Sequence, residues 1–263
     1  MKKIYLFTFS LFALSRLNAQ TPYVLTQANS EPVIGDKYLP RIIDTTTAIP
    51  MNLTGTNVTW NLTGLKDSLA VDTVKFIDPS ADPNAGKSTG VTIVQTEGSN
   101  VSYFKSSTNQ YELLGMDLSF GGQTANVNYS SSTSIVPSTA IIAQYNINYG
   151  YSNTDPVAGD ISVSGFSGTF TGTITTVADG TGTLNLNGMS SFSNCIRLKT
   201  VQHIDFDVLF GFETASMEQV ISNYYNTYST FPDLTINYNH VVASGVFPID
   251  DTITNMRTLS NVV

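Results

Sequence analysis

Two short stretches carry the residues whose types and spacing could do chemistry. The first is "ADPNAGKST", residues 81–89, in which Ala81, Gly86, Lys87 and Ser88 fit the loose pattern of a phosphate-binding loop. That chemistry needs a strand before the loop and a helix after it, so that backbone N–H groups meet the phosphates. "DTVKFID" before it reads as a strand, but "TGVTIVQTEG" after it is β-branched and alternating, and reads as a second strand. Nucleotide binding is therefore not expected. The same loop offers oxygen ligands instead. Asp78, Asp82 and Asn84 are spaced like a turn that wraps a calcium ion, with Gly86 permitting the bend. Calcium takes about six to eight oxygens, so three side chains are too few alone. The competing reading is an ordinary rigid loop, which Pro79 and Pro83 also suit.

The second stretch is "HIDFD", residues 203–207. On a strand, His203, Asp205 and Asp207 share one face while Ile204 and Phe206 share the other. Imidazole and carboxylates at period two can bind a divalent metal, or set an acid beside a base. Extended backward, the same face holds Arg197 and Lys199, so a solvated face with cross-strand ion pairs is the competing reading.

Other constellations are thinner. Asp250 and Asp251 are adjacent and point apart on a strand; Glu213 and Glu218 belong to no motif. No G-x-S-x-G elbow occurs, and no Ser-His-Asp set can be read. The single cysteine, Cys195, lies in a strand-like run and reads as a buried small hydrophobe. Tyr145, Tyr149, Tyr151, Tyr224, Tyr225 and Tyr228 offer rings on which a glycan could stack, although tyrosines in β proteins mostly fill cores and cross-strand pairs.

The elements that must position these residues are strands. "ANVNYSS", "TLNLN", "CIRLKT" and "LTINYNH" alternate apolar and polar residues, and "VTIVQTEGSNVSYFK" reads as two strands around the turn "EGSN". "SMEQVISNYYNTY" has apolar residues at helical spacing, but its β-branched and aromatic content and its all-β surroundings favour a strand. The expected fold is all-β, an antiparallel β-sandwich or related two-sheet fold. The expected domain is 20–245, with 246–263 a last strand or the start of a further region.

Residues 1–19 read as a secretory signal: Lys2 and Lys3, the apolar run "IYLFTFSLFAL", and "LNA" before Gln20. The run is shorter than the ~20 residues of a spanning helix, so membrane insertion is not expected. Removing the signal leaves nine basic and twenty acidic residues, a net charge of −11. Such a chain has no electrostatic footprint for nucleic acid.

Four stretches resemble a known pattern: "ANSEPVIGDKY" (28–38), "GTNVTWNLTGLK" (55–66), "ADGTGTLNLNGMSSFSNCIRLKTVQ" (178–202) and "FPDLTINY" (231–238). Together they are similar to a family of secreted Bacteroidota β-rich proteins that often carry a C-terminal sorting domain of the type IX secretion system. The resemblance implies export to the cell surface or release. No sorting domain is read before Val263, so a periplasmic location is the alternative. The family supplies no catalytic residues. Its shared motifs look structural: Gly180 and Gly182 suit a tight turn and Trp60 a core anchor. The expected function is a secreted, non-enzymatic module that binds a glycan or a surface protein, or assembles at the cell surface. The alternative is an extracellular hydrolase acting on polysaccharide or protein. Calcium is the one cofactor the sequence suggests.

Overall fold

The computed structural model describes residues 23–44, 52–62, 64–120, 123–129, 140–163, 166–186, 191–208, 213–244 and 249–259. The expected signal at 1–19 lies outside them. The described residues are all-β, with sixteen strands, one four-residue helix and two short 3-10 turns.

The alternating stretches form strands where period two buries one face. "EGSN" joins β6 (Ile93–Glu97) to β7 (Asn100–Ser107) through Gly98, whose φ of 57° suits a residue without Cβ. "SMEQVISNYY" lies in β14 (Glu213–Tyr225), so the helical spacing yields to the β-branched and aromatic content. In the terminal region, β16 (Ile249–Thr258) pairs with β15 (Leu234–Ser244).

The two-sheet expectation is corrected in one respect: the hydrogen bonds run through a single sheet. From β5 (Val74–Ile77) the sheet passes through β6, β7, β8 (Gln110–Phe120), β9 (Gln123–Asn128) and β11 (Ser152–Val163). It continues through β12 (Phe166–Leu186), β13 (Phe192–Val208), β14, β15 and β16; β10 (Ile141–Gln144) lies beside β8. Two interrupted strands join its ends. β1 (Lys37–Tyr38) runs on through Pro40 into β2 (Arg41–Asp44), and β4 (Lys66–Val71) runs on through Asp72 into β5. They pair antiparallel, Tyr38 with Val74 and Arg41 with Val71, and Asp72 N–H donates to Pro40 O at 3.0 Å. Since β5 pairs with β6 and β2 with β16, the hydrogen-bonded path closes on itself. Arg257 of β16 pairs with both Asp72 and Glu97 beside this junction.

The long strands β12, β13 and β14 explain why one sheet suffices. They hold 21, 17 and 13 residues, and their two ends serve different cores. The first core gathers Phe76, Phe104, Val127, Phe170, Ile174, Ala178, Ile196 and Ile204. The second gathers Ile43, Trp60, Leu62, Leu184, Cys195, Tyr224, Leu234, Ile236 and Met256. In β13 the run Cys195–Leu198 is buried throughout, because Ile196 and Leu198 face the first core and Cys195 and Arg197 face the second. Period two therefore misplaces Arg197: expected on a polar face, it is only 1 % exposed.

A register shift makes the handover. Ala178 opposes Leu198 and Gly180 opposes Arg197, leaving Asp179 as the extra residue of a β-bulge. The bulge changes the face that even-numbered residues of β12 present, from the first core to the second. It also releases Asp179, which accepts from Arg197 Nε at 2.6 Å and Nη2 at 2.9 Å. The guanidinium lies 5.9 Å from both the Trp60 and Tyr224 rings, and those rings meet edge to face. Burial works against the charge, but hydrogen bonds to Asp179 and Tyr224 outweigh it and raise the arginine pKa.

Gly180 and Gly182 are not in a tight turn; both lie inside β12. A Cβ on Gly180 would stand 2.6 Å from Trp60 Cζ2, and one on Gly182 only 1.8 Å from Val58 O. Both positions let β3 (Gly55–Leu62), which pairs parallel with the second half of β12, lie close with Trp60 beneath it. Trp60 is the core anchor expected, 1 % exposed. We predict that Gly182→Ala costs about 1–3 kcal/mol or more, because backbone must move to admit the methyl. Urea unfolding followed by fluorescence of the sole tryptophan, Trp60, checks this; an unchanged midpoint refutes it.

Candidate functional site

The loop 78–92 is a strap on the sheet. Asp78 caps a 3-10 turn by accepting from Ser80 N–H at 2.8 Å, and Asp82 accepts from Asn84 N–H at 2.7 Å. Ala85 is buried on Val94, Tyr103 and Leu114. Ser88 is 5 % exposed, its hydroxyl between Leu114 O and Asn128 Oδ1. Gly115 leaves room for that hydroxyl, since a Cβ there would meet Ser88 Oγ at 2.8 Å. Lys87 is half exposed, 4.0 Å from Asp117. The segment after Ser88 leads into strand β6, so the Gly-Lys-Ser triplet opens no helix. The proposed calcium ligands Asp78 and Asp82 thus each hold a backbone N–H of their own turn. Among the described residues, no three His, Cys, Asp or Glu side chains are grouped to hold a metal ion.

The tyrosines do not assemble into one exposed face. Tyr224 is buried in the second core, and Tyr225, Tyr145 and Tyr151 pack against the first. Tyr228, at 85 % exposed, stands in the turn after β14.

The face that stays open begins where the second core ends. His203, Asp205 and Asp207 are exposed as expected, with Ile204 buried and Phe206 packed against the first core behind them. The antiparallel register extends this face sideways. Thr169 aligns with Asp207, Thr214 and Ser244; Thr171 aligns with Asp205, Ser216 and Val242. These two rows line an open groove of about 550 Å³.

The next row is Thr173, His203, Glu218, His240 and Thr252, one residue from each of β12 to β16. Both histidines of the chain therefore flank Glu218. His203 Nε2 lies 3.6 Å from Asp205 Oδ1, and His240 Nε2 lies 3.0 Å from Asp250 Oδ1. Sequence reading missed Glu218, His240 and Asp250 as neighbours of "HIDFD". The one signal available was parity: His240 shares its strand face with Ile236 and Tyr238. Which strands are adjacent, and in what register, is not written in any single strand.

Away from this face, burial raises the pKa of Asp233 and Cys195, among other groups. Asp233 is 4 % exposed, its Oδ2 has no hydrogen-bond partner among the described residues, and burial pushes its carboxyl up to about 7. Cys195 is fully buried; burial first, and Asp233 second, push its thiol up to about 12. A thiol held protonated is no nucleophile, which agrees with Cys195 as a small hydrophobe of the second core. Comparison with protein-family models, with curated proteins and with solved structures finds no match.

Proposed function

We propose that the chain is a secreted, non-enzymatic module of the cell surface that binds a polyhydroxylated ligand, a glycan, on the open face of β12–β15. One observation carries this reading: hydroxyls and carboxylates in register line the groove, with Thr169, Asp207 and Thr214 in one row and Thr171, Asp205 and Ser216 in the next. A carboxylate accepts from two neighbouring hydroxyls at once, and threonine and serine both donate and accept. Val242, 36 % exposed, supplies apolar surface beside them. Secretion rests on the signal-like residues 1–19.

The hydrolase reading is weaker on the same residues. Glycoside cleavage needs two facing carboxyls, one kept protonated by a dry environment. Asp205 and Asp207 stand side by side on one strand, and the Asp205 side chain is 64 % exposed.

Affinity gel electrophoresis against a panel of soluble polysaccharides tests the proposal. At least one polysaccharide is expected to retard the protein, and the double variant Asp205→Asn/Asp207→Asn to weaken that binding about tenfold, or ~1.4 kcal/mol. Retardation by none sinks the binding reading. Release of new reducing ends makes the protein a hydrolase instead.

A further inference from the structure

We propose that His203, Glu218 and His240 form a binding site for one divalent transition-metal ion, zinc by preference, above the middle of β14. The inference rests on strand register and stands without the glycan reading. His203 opposes Glu218 across β13 and β14, and Glu218 opposes His240 across β14 and β15. All three point to the face that carries Asp205 and Asp250, the residues nearest the two rings.

Register sets the span. The two histidine backbones are roughly 9.5 Å apart, twice the strand spacing. Turned inward, imidazoles rising from both sides would meet over the residue between them, and that residue is a carboxylate of flexible length. Two imidazole nitrogens and one carboxylate oxygen, at about 2.0–2.2 Å, are the ligand types zinc takes. The fourth position of the tetrahedron is filled by water or by Asp205 or Asp250. Two imidazoles also select against calcium and magnesium, which prefer all-oxygen shells.

The rings do not converge as they stand; each is turned toward its own aspartate. Their side chains are 54 % and 36 % exposed, so a rotamer change meets no packed neighbour layer. The aspartates then change role. A carboxylate beside a ligating histidine accepts from its second ring nitrogen and fixes the tautomer. Glu218, Asp205 and Asp250 together also oppose the ion's two positive charges.

Two features separate this row from an ordinary polar surface. The chain has only two histidines among 263 residues, and both fall in one cross-strand row. The residue between them is acidic, which neither strand's own pattern requires.

The test is isothermal titration of zinc chloride into the chain lacking residues 1–19 and any histidine tag, with histidine Hε1 resonances followed by NMR. One saturable zinc per chain is expected, with both histidine resonances shifting together. His203→Ala and His240→Ala should each weaken zinc at least about tenfold, since even outer-shell partners are worth that much. Glu218→Gln should weaken it while keeping the side chain's shape. Asp251→Asn, on the other face of β16, should change nothing. Absence of saturable binding overturns the proposal, as does unchanged affinity in both histidine variants. A loss in Asp251→Asn equal to that in His240→Ala also overturns it.

Discussion

Arg197→Ala is expected to destabilise the protein by about 3–5 kcal/mol, the range for breaking a buried ion pair from one side. The guanidinium is 1 % exposed and holds Asp179 through two hydrogen bonds. Its removal leaves the Asp179 carboxylate, itself only 20 % exposed, without that partner. It also opens space between Trp60 and Tyr224, whose rings both lie 5.9 Å from the guanidinium carbon. Charge loss and cavity act in the same direction. Arg197→Met combined with Asp179→Asn separates them. It fills the space and removes both charges, so at least half of the lost stability should return. Chemical unfolding of the three proteins decides the matter. A loss under ~1 kcal/mol for Arg197→Ala would place this pair with ordinary surface pairs and remove it as the joint between β12 and β13.

Stability should fall as pH rises from about 4 to about 7, and Asp233 should be the main cause. The carboxyl is raised to about 7 in the folded chain by burial alone, against roughly 3.9 when unfolded. Between those values the folded state holds a proton that the unfolded state has released. The stabilisation is therefore complete below about 4 and is lost as pH rises through 7. The slope is about 1.4 kcal/mol per pH unit, a few kcal/mol across the window. Asp233→Asn replaces the neutral acid by a neutral amide of the same shape. It should flatten this part of the profile and make the variant the more stable protein at pH 8. Urea unfolding from pH 4.5 to 8.5 checks both; parallel profiles for the two proteins would contradict the assignment. Asp233 lies between β14 and β15, its N–H donating to Tyr224 O and its carbonyl accepting from Leu259 N–H. A charge there strains the junction that brings β15 beside β14.

Local chemistry in the sequence determined the class of the fold. Period two in "TLNLN" and "LTINYNH" buried Leu184, Leu186, Leu234 and Ile236 as that pattern requires. The β-branched run after Ser88 was enough to deny a helix to the Gly-Lys-Ser triplet. "HIDFD" divided into an exposed and an inward face by alternation alone. Each of these depends on residues within a few positions of one another.

Only the tertiary structure decided the rest. Alternation predicts one wet face, and it failed at Arg197 because two cores meet on opposite faces of β13 there. Gly180 and Gly182 looked like turn glycines because their real constraint, the approach of β3, comes from residues more than a hundred positions away. The row His203–Glu218–His240 exists only through pairing of three strands. A strand's sequence fixes which side chains share its face, but register is fixed by packing across the sheet. The candidate site belongs to the register.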